Sequence, residues 1–203
     1  MYVKPPLLLK LMMPWLSWDI KTDEKVIYLT FDDGPHPEIT PQVLDILDTF
    51  KASATFFCVG ENVQKYPLVF TSVIDRGHRV GNHTYNHLKG WNTDNKAYYA
   101  NIEKADKLIA SNLFRPPHGL ITPRQAWRLK KKYRLIMWSV ISYDFSQQIS
   151  PEQCLENVLK HSRPGTIAVF HDSEKSAKNM LAALPLYLRT MTERGYRFRA
   201  IDQ

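Results

Sequence analysis

Short apolar runs rich in β-branched and aromatic residues alternate with helix-length amphipathic stretches along this 203-residue chain. The runs fall at 26–30, 54–59, 78–81, 135–140, 166–170 and 196–201. Between the first two, Val43, Leu44, Ile46, Leu47 and Phe50 recur at the helical period. Thr40-Pro41, Thr122-Pro123 and Ser150-Pro151 each place a capping hydroxyl before a proline suited to the first helical position. The spacing predicts helices from Thr40, over 61–76 with a break at Pro67, and over 94–110, 122–132, 150–160 and 177–194. Strands separated by helices pair in parallel through crossovers, so the pattern predicts an α/β architecture. Length suits one domain with a sizeable core, and no repeat or linker divides it. The expected organisation is an N-terminal segment, 1–24, packed on a domain spanning 25–203.

The formal charge of +7 and pI near 9.3 admit an anionic partner. No nucleic-acid motif is present, and the basic run 130–134 reads as a solvated helix end. Cys58 and Cys154 form no CxxC pair, and Cys58, inside an apolar run, reads as an inert core thiol. Residues 7–18 are apolar but interrupted by Lys10 and Pro14, a poor signal peptide and too short for a membrane span. Peripheral membrane contact is the minor reading of that segment. A monomer is expected, cytoplasmic by default, with action at the cell envelope as the other reading.

In parallel α/β folds, polar side chains at the C-terminal ends of strands tend to form the active site. Asp32-Asp33, His83, Arg115, Asp144 and His171 each follow a predicted strand or strand-like segment. Adjacent carboxylates repel, so Asp32-Asp33 needs cationic partners unless it is a solvated turn. His83 and His87 are four apart, and one helical turn would put both rings on one face. With a carboxylate they make a two-His, one-Asp set suited to zinc, cobalt, nickel or iron.

These segments together resemble the polysaccharide deacetylase family, the carbohydrate esterases built on the NodB-type chitooligosaccharide deacetylase homology domain. The resemblance runs from about Lys25 to Ile201. It rests on Thr30-Phe31-Asp32-Asp33-Gly34, His83-Thr84-Tyr85-Asn86-His87, Arg115-Pro116-Pro117-His118-Gly119, Trp138 through Phe145, and Val169-Phe170-His171. It implies a distorted, incomplete (β/α) barrel and metal-dependent removal of N-acetyl groups from an amino-sugar polymer or oligomer. It implies a divalent metal, zinc foremost and cobalt or nickel after it, held by Asp33, His83 and His87. Asp32 would be the general base on water, oriented by Arg115, and His171 the acid, held by Asp144. The His118 N–H after Pro117 would meet the oxyanion, while Tyr143, Phe145 and Val169 would line the substrate pocket.

The chain departs from the family pattern in places. Ile141 and Phe145 stand where the fourth motif has Asp and Trp, His118 where the third has Tyr, and Val169 where the fifth has Leu. Those changes bear on the groove wall and sugar preference. Peptidoglycan, chitin-type oligomers and exopolysaccharide all fit. So do an O-acetyl esterase, a non-sugar amidohydrolase, and a catalytically weak carbohydrate-binding relative. His36 and His78 match no ligand position. Asp172 could orient His171 or start a helix. Trp91, Trp138 and Tyr143 could stack on sugars, with Trp138 read as core.

Overall fold

A computed structural model describes residues 3–202; residues 1, 2 and 203, the outer limits of the expected division, lie outside the described residues. In chain order the elements are α1 (Leu7–Met12), β1 (Val26–Asp32), α2 (Ile39–Thr49), β2 (Thr55–Cys58), α3 (Gly60–Lys65), α4 (Pro67–Asp75) and β3 (Arg79–Asn82). There follow α5 (Asn95–Ile109), β4 (Leu113–Phe114), α6 (Pro123–Leu129), β5 (Arg134–Leu135) and β6 (Val140–Ile141). The chain closes with α7 (Pro151–His161), β7 (Thr166–His171), α8 (Ala177–Glu193) and β8 (Arg197–Arg199). The strands form one parallel sheet in the order β5-β4-β3-β2-β1-β7-β6, with β8 also on β1. The alternation in the sequence thus produced the α/β architecture it predicted, and the open parallel sheet is the distorted, incomplete (β/α) barrel that the family resemblance implied.

β1 is the axis of the sheet. Along one side it pairs with β7, in register from Ile27 against Thr166 to Asp32 against His171. Along the other side β8 takes its first half and β2 its second. Ile27, Leu29 and Phe31 are fully buried, so this strand reads as a near-continuous apolar run, as parallel strands covered on both faces do. Phe31 stacks on Phe56 and tilts against Phe170, joining three adjacent strands.

Among the described residues no ladder joins β5 to β6, and the N-terminal segment crosses that gap. The Ser17 N–H donates to the Leu135 carbonyl and the Met137 N–H to the Ser17 carbonyl, while the Ile20 N–H bonds the Gly165 carbonyl. Leu16 and Trp18 are buried there. By contrast α1 buries none of its residues and leaves Leu7, Leu8, Leu11 and Met12 exposed. No helix of the described residues is long and apolar enough to cross a membrane.

Two expected elements differ. The strand predicted over 135–140 is split into β5 and β6. Its middle carbonyls, Ile136 and Met137, turn to the buried Arg115 guanidinium instead of a neighbouring strand. Thr40 does not cap α2. It lies in the first turn, its hydroxyl accepting from the His36 N–H and donating to Asp172, while His36 Nδ1 accepts from the Glu38 and Ile39 N–H groups. Thr122 and Ser150 do cap their helices, each in a reciprocal box with the glutamine three residues on.

Candidate active site

The C-terminal ends of β1, β3, β4, β6 and β7 open on one cleft of about 460 Å³. Asp32, Asp33, His83, His87, His118, Tyr143, Phe145, Val169 and His171 line it, together with Gly119, Trp138, Ile141 and Lys175. Arg115 and Asp144 stand behind the wall, both fully buried, and Pro117 is buried beneath the turn that carries His118. Backbone strain concentrates here. Of seven non-glycine residues with positive φ among the described residues, five are Asp33, Thr84, His87, His118 and Tyr143. Each such conformation costs on the order of 1 kcal/mol or more, and clusters of them mark functional sites.

Asp33, His83 and His87 offer ligand atoms all within 4.8 Å of one another. His83 Nδ1 lies 2.7 Å from the Arg115 carbonyl, and a carbonyl only accepts, so Nδ1 carries the hydrogen. Burial lowers the pKa of His83 to about 4, leaving a neutral ring whose Nε2 lone pair faces Asp33 Oδ1 at 3.7 Å. Burial pushes Asp33 upward, but the His87 contact and the fields of His171, His83 and His87 outweigh it and hold the carboxyl well below the usual range. Its Oδ1, 3.1 Å from His87 Nε2, is buried without a well-formed hydrogen bond. An ionised oxygen facing an imidazole lone pair, with no donor of its own, is a cradle for a cation. The donor set suits a divalent metal with coordination positions left open, and the Arg115 carbonyl fixes the His83 tautomer as outer partners of metal ligands do.

The histidines do not meet as the sequence suggested. Residues 83–87 form no helix: Thr84 and His87 adopt left-handed conformations. The physical reason lies in α3, whose first N–H groups, on Gly60 and Glu61, take the Thr84 and Tyr85 carbonyls. Those oxygens are therefore not available to a helix of their own. The rings still approach, with centroids 5.1 Å apart, and His118 packs edge-on to His87 at 4.6 Å.

Asp32 has a different partner. Arg115 Nη1 donates to its Oδ1 at 2.6 Å and to the Thr30 hydroxyl at 2.8 Å, and Nη2 donates to the Met137 carbonyl. The guanidinium also lies over the Phe57 ring, 4.1 Å from its centre. A planar fork bound at this many points orients the carboxylate it holds. Across the cleft, His171 Nδ1–H donates to Asp144 Oδ1 at 2.8 Å and its main-chain N–H to Oδ2 at 2.7 Å. Burial alone would lower the pKa of His171, but Asp144, helped by the Asp33 and Asp32 carboxylates, brings it up to about 9.

Some residues of the site were passed over in the sequence or read there in another role. Trp138, read as core, lines the cleft, and Gly119 is its necessary neighbour because a Cβ there would strike the indole. Asn62 holds the Asp33 carbonyl. Asp172 does not orient the His171 ring. Its carboxylate instead accepts from the Gly34 N–H and the Thr40 hydroxyl, and a Cβ on Gly34 would collide with it. His78 sits in the core, accepting from the Ala54 N–H, and Trp91 is exposed away from the cleft. Only the hydroxyl of Thr30, inside the first motif, carried a signal that could have been used.

A sequence model of the family described as polysaccharide deacetylase matches residues 19–135. The chain belongs to the polysaccharide deacetylase family. It is 35% identical over 197 residues to a peptidoglycan-N-acetylglucosamine deacetylase of Bacillus cereus, covering 93% of this chain and 92% of that one. It is 29% identical over 204 residues to a chitooligosaccharide deacetylase of Rhizobium leguminosarum bv. trifolii, covering 90% and 93%. The crystal structure of the Bc1960 peptidoglycan N-acetylglucosamine deacetylase superposes with a TM-score of 0.89 at 28% identity, over 97% of this chain and 95% of that one. This polysaccharide deacetylase is accordingly a hydrolase of the carbohydrate de-N-acetylase class.

Proposed function

We propose that the cleft removes the acetyl group from 2-acetamido sugars of a glycan polymer or oligomer, using Asp32 as base and His171 as acid. The observation that carries this reading is the division of labour within one dipeptide: Asp33 faces two imidazoles, whereas Asp32 is pinned to Arg115. Asp33, His83 and His87 would hold a divalent metal, zinc by preference for two imidazoles and a carboxylate, with cobalt and nickel as close alternatives. Such an ion, when bound, supplies Lewis acidity toward a carbonyl oxygen and toward water.

The chain's own residues do the rest. Asp32 takes a proton from the attacking water at its carboxylate, and Arg115 keeps that carboxylate aimed into the cleft. Water oxygen bonds to the acetyl carbon, the C–N bond breaks, and the amine leaves with a proton from His171. Asp144 keeps His171 protonated and oriented until that moment. The main-chain N–H of His118 donates to the oxygen that gains charge. Val169 and Ile141 give the acetyl methyl an apolar wall, and Tyr143, Phe145 and Trp138 offer rings to the sugar.

The test is acetate release from N-acetylated chitooligosaccharides and peptidoglycan glycan strands, with O-acetylated xylan and small amides as the contrasting panel. Asp32→Asn should lose at least about a hundredfold in kcat while zinc content, measured by elemental analysis, stays at the parent level. Equal activity of that variant would remove Asp32 from the role of base.

A further inference from the structure

We infer that Lys175 is a specificity residue that reads a carboxylate carried next to the acetamido group, so that the cleft favours an acidic N-acetylated glycan over a neutral one. This rests on the deacetylase reading of the cleft. Lys175 is the sole lysine or arginine among the residues that line it. The other cation near the reacting centre, Arg115, is buried and already paired with Asp32. No carboxylate lies within ion-pairing distance of Lys175 among the described residues, although Asp32, Asp33 and Glu174 are all near in the chain or the cleft. A lysine facing a cleft without a counter-ion is a site for an anionic group of the ligand.

Its position is fixed although its ammonium is free. The Gln147 side chain donates to the Lys175 carbonyl at 3.0 Å, and the Ser176 N–H bonds the Ser173 carbonyl just before α8. The Lys175 ammonium lies 5.7 Å from the centre of the Phe145 ring, whose centre is 4.9 Å from that of His171. The free cation and the group that meets the leaving amine thus both lie against one ring, that of Phe145. On a 2-acetamido sugar the oxygen vicinal to the acetamido carbon carries the nearest substituent to that amine. A carboxyalkyl ether there, such as a lactyl group, would bring its carboxylate within reach of a lysine so placed. A lysine that is merely solvated at the rim would show no dependence on that substituent.

The experiment uses one glycan strand of alternating N-acetylglucosamine and 3-O-lactyl-N-acetylglucosamine in two forms, with lactyl carboxylates free and converted to amides. Acetate release gives kcat/KM for each form, and calorimetry on Asp32→Asn protein gives binding without turnover. The parent should prefer the free acid, and Lys175→Gln should reduce that preference about fivefold through KM, the span of an exposed ion pair. Lys175→Arg should keep most of the preference, and raised salt should shrink it in the parent. The same acid-to-amide ratio in Lys175→Gln as in the parent would overturn the inference. If neither strand released acetate, the deacetylase reading would fail, and the calorimetric ratio for Asp32→Asn with and without Lys175→Gln would still decide the role of Lys175.

Discussion

Asp32 and Asp33 are neighbours in one strand end, and the two side chains inhabit different electrostatic worlds. What separates them is the left-handed turn at Asp33, which points its carboxylate to the imidazoles while Asp32 stays in the strand beside Arg115. The opposing pair, His171 and Asp144, sets the pH response. His171 is protonated below about 9, and a cation in the cleft can only lower that value, so the alkaline limb of kcat should fall at or below pH about 9. Asp144→Asn removes the main stabilising charge, and the limb should move toward pH about 6.5 with a fall in kcat. A pH–rate profile of the two proteins checks this, and an unmoved limb would exclude His171 as the acid.

At the scale of elements, the caps show what local chemistry fixes. Thr122 and Gln125 close a capping box, and the Gln125 amide also donates to the Gly90 carbonyl, so this helix start holds the loop after β3 as well. Thr122→Ala should cost about 1 kcal/mol in urea unfolding. Such devices were legible because they depend on residues three apart. The strand ends were legible for the same reason: apolar periodicity located β1, β2, β3 and β7, and with them Asp32, His83 and His171. What escaped depends on distant parts of the chain. The 83–87 segment was read as a helical turn because nothing local reveals that α3 claims its carbonyls. The 135–140 strand was read as continuous because nothing local reveals that Arg115 draws two of its carbonyls aside. Trp138 and Lys175 enter the cleft only through that irregularity and through the α8 start, neither of which has a sequence period.

For the molecule as a whole, His171, which ends β7, and Asp172 just after it make stability depend on pH in one direction. Burial, against its hydrogen bonds, raises the pKa of Asp172 to about 8, and His171 stands at about 9. Both folded values lie above the unfolded ones, so the folded state binds more protons in this window. Stability is then greatest at low pH for these groups, and is lost as pH rises from about 4 through 8 for Asp172 and from about 6.5 through 9 for His171. The melting temperature of chelator-treated protein should therefore fall between pH 6 and pH 10. Asp172→Asn, which cannot ionise, should flatten that decline, and a decline of equal slope in the variant would assign it elsewhere.

The placement of β1 has a consequence for how this protein can lose its activity. A strand hydrogen-bonded along both sides is the last part of a sheet to exchange its amides, because releasing it requires opening the whole molecule. The two acids are attached to the end of that strand, while the elements free to fray, α1 and the short β5, carry none of the chemistry. Partial opening at the periphery should therefore leave the catalyst intact. In a urea titration the midpoint for loss of turnover should coincide with the midpoint for loss of tertiary structure, and inactivation well before unfolding would show that the site detaches from its strand.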